Sequence, residues 1–198
     1  MEDTELVRLD AQMRFLLAAD GLKGVLRGNT VGDGSRRENS AEHSWHVALM
    51  AVVLAEHCPH PVDISRVVEL LIVHDLVEVY AGDTNIYDER AAMDQAERET
   101  LAAAKLFGLL PADQASHFND RWLEFEHRTS PAARYARAVD AIAPTWLHWG
   151  AHTKVASGNL TAEGIRAHKA ELLAPYPAFT RLLDQVIDSA VARGLVAR

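Results

Sequence analysis

Residues 70–83 read LLIVHDLVEVYAGD. Three residues in that run, His74, Asp75 and Glu78, can bind metal or move protons, yet they sit in a strongly apolar stretch. Helical neighbours lie three and four positions apart, so His74 and Glu78 share a face, as do Asp75 and Glu78. Val67 and Leu71 continue that face, which places the polar groups in line with a buried stripe. A buried carboxylate costs several kcal/mol or more unless it is paired or bound to a metal. The run alone has two readings: a His–Asp pair satisfied inside a core, or a metal or catalytic site.

Other stretches add groups of the same kind. His43 stands at the head of the stripe His43, Val47, Met50, Ala51 and Leu54, and Asp140 stands beside the stripe Tyr135, Val139, Ile142 and Trp146. Imidazoles with carboxylates suit a divalent transition metal such as Mn, Fe, Co, Ni or Zn. Residues 20–38 carry Lys23, Arg27, Arg36 and Arg37, a cationic cluster in an acidic chain. That cluster is either a solvated loop or a fork for phosphate. His46 lies off its stripe and is either a pocket or a surface residue. His117 and His127 have polar neighbours and read as surface residues.

The elements that must position these groups are helical. Residues 4–19 place Leu6, Leu9, Met13, Leu16 and Leu17 at helical spacing, with charges on the other face. Residues 20–38, with five glycines, read as a long irregular stretch, and such loops are usually functional or disordered. Asn39 with Glu42 is a capping-box variant that starts the next helix, which Pro59 and Pro61 close. A helix from about residue 63 to 81 carries the opening run, and Gly82 stops it before Asp83. Further helices are expected over 91–107, 111–126, 161–173 and 177–192. Ser130-Pro131 starts the helix that holds Asp140, and Pro144 should kink or end it. Phe118, Trp122 and Phe125 are expected in the core. No strand stands out, and the fold class is all-α, in one domain.

Composition excludes several function classes. The 198 residues are 48% apolar and 24% charged, with a net charge of −8. A chain of this length hides roughly 70% of its unfolded surface, enough for a real core. There is no basic block, so duplex nucleic acid and an acidic membrane are poor partners. A phosphorylated small molecule is compatible, because a cationic pocket needs no basic surface. The longest apolar run, 47–55, falls short of the roughly 20 residues that span a bilayer, and the charged N-terminus lacks a signal-peptide pattern. One cysteine, Cys58, permits no internal disulfide and fits the cytoplasm.

The order His43, His74-Asp75, Asp140 resembles the HD-domain superfamily of metal-dependent phosphohydrolases. ENSAEHSWHVA around His43, HDLVE at 74–78 and AGDT around Asp83 are similar to the YfbR-like 5′-deoxynucleotidases and HD domain-containing protein 2. The likeness covers roughly residues 20–150, and ENSxEHS with HDxxExxxGD is the more selective part of it. It implies a helical bundle that holds one divalent metal through His43, His74, Asp75 and Asp140, with Glu78 and Asp83 catalytic. It implies hydrolysis of 2′-deoxynucleoside 5′-monophosphates, and a homodimer. Arg27 aligns with a phosphate-binding arginine of the bacterial members, with Arg36 and Arg37 as further candidates. The next residue in those members is a tryptophan that reads the sugar. Here it is Gly28. That departure predicts weak discrimination against the 2′-hydroxyl unless Trp45, Tyr80 or Tyr87 fills the space. A phosphodiesterase or guanosine-polyphosphate hydrolase would use the same scaffold, but the GYP signature of the cyclic-dinucleotide branch is absent. A non-catalytic metal-stabilised domain would have no need for Glu78, Asp83 and the arginines together.

Overall fold

The structure is a computed structural model that describes residues 2–84, 93–150 and 160–198. In these residues the elements run α1 (Glu2–Ala19), a 3₁₀ turn (Asp20–Gly24), β1 (Leu26–Thr30), β2 (Arg37–Asn39), α2 (Ser40–Val53), α3 (Ile64–Val73) and α4 (Glu78–Ala81). They continue with α5 (Gln95–Phe107), α6 (Ala112–His127), α7 (Pro131–Thr145), a π turn (Trp146–Gly150), α8 (Ala162–Leu173) and α9 (Pro177–Ala192). The helical architecture agrees with the pattern of the sequence. Tyr87 and the start of the helix expected over 91–107 lie outside the described residues.

Local signals set the helix starts. At α2, Asn39 accepts from the Glu42 N–H at 3.0 Å and its own N–H donates to Glu42 at 2.7 Å, a complete capping box. Ser130 caps α7 by accepting from the Ala133 N–H at 3.0 Å, with Pro131 at the first helical position. Caps of this kind are worth about 1 kcal/mol each.

Two buried clusters form the core. In the first, Val47 and Ala51 of α2 and Leu70 and Leu71 of α3 meet Val139 and Ile142 of α7, with α8 and α9 behind. Alanines 133, 136 and 138 let α7 approach closely, and the Tyr135 hydroxyl donates to the Ala51 carbonyl at 3.1 Å. The second cluster joins Phe15, Val73, Val77, Leu106, Phe107 and Trp122. Residues 70 and 71 thus belong to one cluster and 73, 76 and 77 to the other. His74 and Asp75 sit where the chain crosses between them.

Four expectations change. Residues 20–38 are not irregular: they hold the 3₁₀ turn and an antiparallel hairpin that pairs Leu26 with Asn39 and Thr30 with Arg37. The strands LRGNT and REN are too short and polar to show an alternating pattern, and Gly34 takes the positive φ, +73°, in the connection. The helix expected over 63–81 breaks into α3 and α4. The helix holding Asp140 does not end at Pro144 but runs on to Thr145 and widens into the π turn, which adjusts locally to the donor that proline lacks. Finally, α1 turns Leu6, Leu9, Met13, Leu16 and Leu17 to solvent, and buries Phe15 instead. Among the described residues nothing covers that face.

Candidate metal centre and active site

The break between α3 and α4 builds the centre. The His74 N–H still reaches four residues back, to Leu70 at 2.9 Å. Beyond it the ladder tightens to three-residue spacing, with Leu76 to Val73 at 3.1 Å and Glu78 to Asp75 at 3.0 Å. At three residues per turn, side chains three apart eclipse, and Asp75 and Glu78 both line one cavity. Gly82, at φ +76°, ends the turn, and Asp83 falls back into the same cavity. Its volume is about 400 Å³, within the range of small-molecule sites.

The two histidines and two aspartates converge. His74 Nδ1 lies 2.8 Å from the Leu71 carbonyl, a bond that assigns the hydrogen to Nδ1. The lone pair is then on Nε2, 3.1 Å from Asp75 Oδ1 and 3.8 Å from Asp140 Oδ1. Nε2 is buried and, among the described residues, has no hydrogen-bond partner. A lone pair facing two carboxylates is repulsive, and a cation between them resolves it. His43 Nε2 lies 3.0 Å from the same Asp140 oxygen. His43, His74 and Asp75 offer ligand atoms that all lie within 4.8 Å of one another. The residues therefore fit a divalent metal held by imidazole and carboxylate. Phe125 packs on His74 with ring centroids 4.8 Å apart and fixes the ring from behind.

Charge is distributed unevenly. Burial alone would raise the carboxyl of Asp75, but the neighbouring His74 ring and the Arg27 guanidinium hold it below its ordinary range. Burial is likewise outweighed at Asp140, which the His43 hydrogen bond and the Arg137 charge hold well down. Burial would lower the His43 imidazole, yet its hydrogen bond to Asp140 and the neighbouring Glu38 carboxylate push it up to about 9. Glu78 goes the other way: burial and the charge of Asp75 push it up to about 9, and the Ser40 hydroxyl donates to it at 2.5 Å. Asp83 is also raised, by burial first, against the pull of Arg27. A proton-holding carboxyl thus stands beside an ionised one.

The three arginines part company. Arg27 is buried in the cavity, 2.7 Å from Asp75, 3.8 Å from Asp83 and 3.7 Å from Glu38. Arg36 makes a two-pronged contact with Glu42 at 2.5 and 2.8 Å on the surface. Arg37 braces the carbonyls of Leu26 and Arg27 at 2.8 and 2.6 Å. Neither lines the cavity, because the Arg36 guanidinium is spent on Glu42 of α2 and that of Arg37 on the β1 carbonyls. Gly28 does line it, while Trp45 is exposed and Tyr80 lies under the Lys105 ammonium at 3.6 Å. The cavity-lining aromatic among the described residues is Trp149, from the π turn. His46 is half-buried, and His117 and His127 are exposed.

Other site residues lie outside the expected set. Glu38 is buried, with Oε2 3.3 Å from His43 Nδ1, although the two are misaligned for a hydrogen bond. It stands inside ENSAEHS, so the motif contained it. Arg137 meets Asp140 at 3.0 Å from three positions earlier on α7, a spacing readable in sequence. Lys169 stands on the apolar face Ile165, Lys169, Leu173 of α8 and lines the cavity. A charge in an apolar stripe was the signal for it.

The HD domain model matches residues 19–171. The chain belongs to the HD domain family. Among solved structures, this HD domain is similar to a predicted metal-dependent phosphohydrolase from Magnetospirillum magnetotacticum MS-1, at 42% identity and a TM-score of 0.86 over 96% of both chains. It also shares its fold with PH0347 protein from Pyrococcus horikoshii OT3, at 23% identity and a TM-score of 0.66, over 88% of this chain and 99% of that one. Among curated proteins, 5′-deoxynucleotidase HDDC2 of Homo sapiens is 29% identical over 129 residues, and that of Bos taurus 30% over 130. Each match takes in 65% of this chain and spans 62% of the relative's length. Among the described residues no helix is long and apolar enough to cross a membrane.

Proposed function

We propose that this HD domain is a metal-dependent phosphomonoesterase that converts (deoxy)nucleoside 5′-monophosphates to nucleoside and phosphate. The observation that carries the reading is the joint occupancy of one cavity by the metal-ligand set, Glu78 and Arg27. The relatives named 5′-deoxynucleotidase support the substrate class. His43, His74, Asp75 and Asp140 hold one divalent transition metal. Such an ion neutralises phosphate charge and lowers the pKa of attacking water.

The chain's own groups do the rest. Arg27, which lines the cavity beside Asp75, supplies a planar fork for two phosphate oxygens. The phosphorus–5′-oxygen bond breaks, a bond to the water oxygen forms, and the leaving oxygen gains a proton. Glu78, holding a proton at about neutral pH beside ionised Asp75, is placed to move it. Asp83 orients water or the leaving oxygen from the cavity mouth. The absence of a second ring of metal ligands among the described residues disfavours the phosphodiesterase alternative. Phosphate release from a panel of nucleotides, in each of several metals, tests the reading. Turnover of diesters or guanosine polyphosphates but not of monophosphates would overturn it.

The working form is a homodimer in the cytoplasm. The uncovered face of α1, with Leu6, Leu9, Met13 and Leu16, is apolar surface that a second copy of this chain would bury. Sedimentation of wild type and Leu9→Glu tests that. A monomeric wild type defeats it. The single cysteine supports the compartment.

A further inference from the structure

Lys169 is a buried cation that the reading above does not use. Its side chain is 3% exposed and lines the same cavity as His74, Asp75 and Arg27. The ammonium donates to the Ala141 carbonyl on α7. Among the described residues that carbonyl is its hydrogen-bond partner, and an ammonium has three hydrogens to give. Ala141 follows Asp140 directly, and both line the cavity, so the ammonium stands close to the metal ligands.

The electrostatics of that position are unusual. Burial pulls Lys169 down to about 8, with Asp140 as its favourable charge and Arg137 as an adverse one. Asp140 is already shared by His43 and Arg137. A divalent metal on Asp140 would cancel that carboxylate and add a further positive neighbour. Glu99 and Glu126 also line the cavity and feel the charge of Arg137, but Asp140 is the carboxylate that favours Lys169, so a metal there would leave the ammonium in a cationic corner. Such a corner calls for a multiply charged anion, whereas a neutral acceptor would leave the charges uncompensated. In a nucleoside monophosphate the phosphate is the dianion, and the sugar and base are neutral.

We propose that Lys169 is a substrate-binding residue that grips the phosphate from the α8 wall, while Arg27 holds it from β1. The proposal rests on the phosphomonoesterase reading for its ligand. It makes the phosphate site two-sided, with its second cation supplied by α8, which follows the stretch, roughly residues 20–150, that carries the motif likeness.

The test is calorimetric titration of inorganic phosphate, and separately of deoxyuridine, into manganese-loaded wild type, Lys169→Met and Lys169→Gln. Both substitutions remove a buried charge and keep side-chain volume. Phosphate affinity should fall at least tenfold in both, with deoxyuridine affinity within twofold and manganese content unchanged. Unchanged phosphate affinity overturns the proposal, and so does weakened deoxyuridine binding with phosphate retained, which would move Lys169 to the sugar or base. Loss of manganese also overturns it, by making Lys169 a support of the metal site. A second measurement on wild type needs no variant: phosphate, but not deoxyuridine, should protect Lys169 from acetylation severalfold, as read by peptide mass spectrometry. Equal labelling defeats the idea. A wild type that binds phosphate but hydrolyses no nucleotide would refute the nucleotidase reading and leave the comparison of variants standing.

Discussion

The cavity has one wall built from β1, the turn after α3, and α4, and another built from α7, the π turn and α8, and α5 and α6 add Glu99 and Glu126. On the first, charges meet in pairs: Arg27 with Asp75, His74 with Asp75, Ser40 with Glu78. On the second, two cations, Arg137 and Lys169, share one carboxylate, Asp140, which His43 also claims. The first wall pairs its groups locally, whereas on the second Arg137 also draws on Glu99 and Glu126 and Lys169 has Asp140 as its favourable charge. On the proposed reading the two walls share the metal through Asp75 and Asp140, the first adds the proton-moving Glu78, and the second adds Lys169 for an anion. Breaking either wall should have a different signature.

The largest effect is expected where the walls meet. Asp140→Ala removes a metal ligand and strands His43 and Arg137, so metal should be lost and activity fall to background. Uncompensated buried charge should also destabilise the fold by about 3–5 kcal/mol. Asp75→Ala should lose metal as well. Elemental analysis decides, and full occupancy in both variants would remove the assignment.

Glu78→Ala comes next. It should keep the metal and lose kcat by ~10²–10⁴-fold, the usual size of an acid–base contribution. Metal loss in step with activity would move Glu78 into the ligand set and blur the division of labour on the first wall.

The third prediction concerns the buried ammonium on the second wall. Lys169 has a folded-state value of about 8 against an ordinary 10.5. Between those pH values the unfolded chain binds the extra proton, so this residue makes stability rise with pH. Below pH 8 both states are protonated and the full cost of the buried charge is present. Lys169→Met should therefore stabilise the metal-free protein at pH 7 by an order of 2–3 kcal/mol. That advantage should fade toward pH 10.5. Denaturant titrations across pH measure it. A destabilised variant at every pH would show that the lysine supports the fold.

The smallest effect is on the sugar. Gly28 lines the cavity with no side chain to crowd a 2′-hydroxyl. Wild-type kcat/KM for dUMP against UMP should differ by less than about tenfold, or about 1.4 kcal/mol, and Gly28→Trp should widen the ratio. A wild-type preference above about a hundredfold would point to another reader, for which Trp149 of the π turn is positioned.

Two kinds of information were separable in this chain. The sequence by itself determined the helices, because their apolar periodicity and caps are local: Asn39 with Glu42, Ser130 with Pro131, and Gly82 all act where they stand. It also offered the candidate metal set, His43, His74, Asp75 and Asp140, whose ligand role came from the resemblance to HD-domain phosphohydrolases. Tertiary structure decided the rest. The hairpin at 26–39 depends on pairing between segments too short to show a pattern, and only that pairing sends Arg27 inward while it spends Arg36 and Arg37 on the surface. The exposure of the α1 face followed from what packs beside it, which periodicity does not encode. Lys169 was visible as a charge in an apolar stripe, but its meeting with Ala141 required α8 to fold back across α7. Periodicity reports which face of a helix is buried. It does not report against what, and the chemistry of a site is set by that second fact.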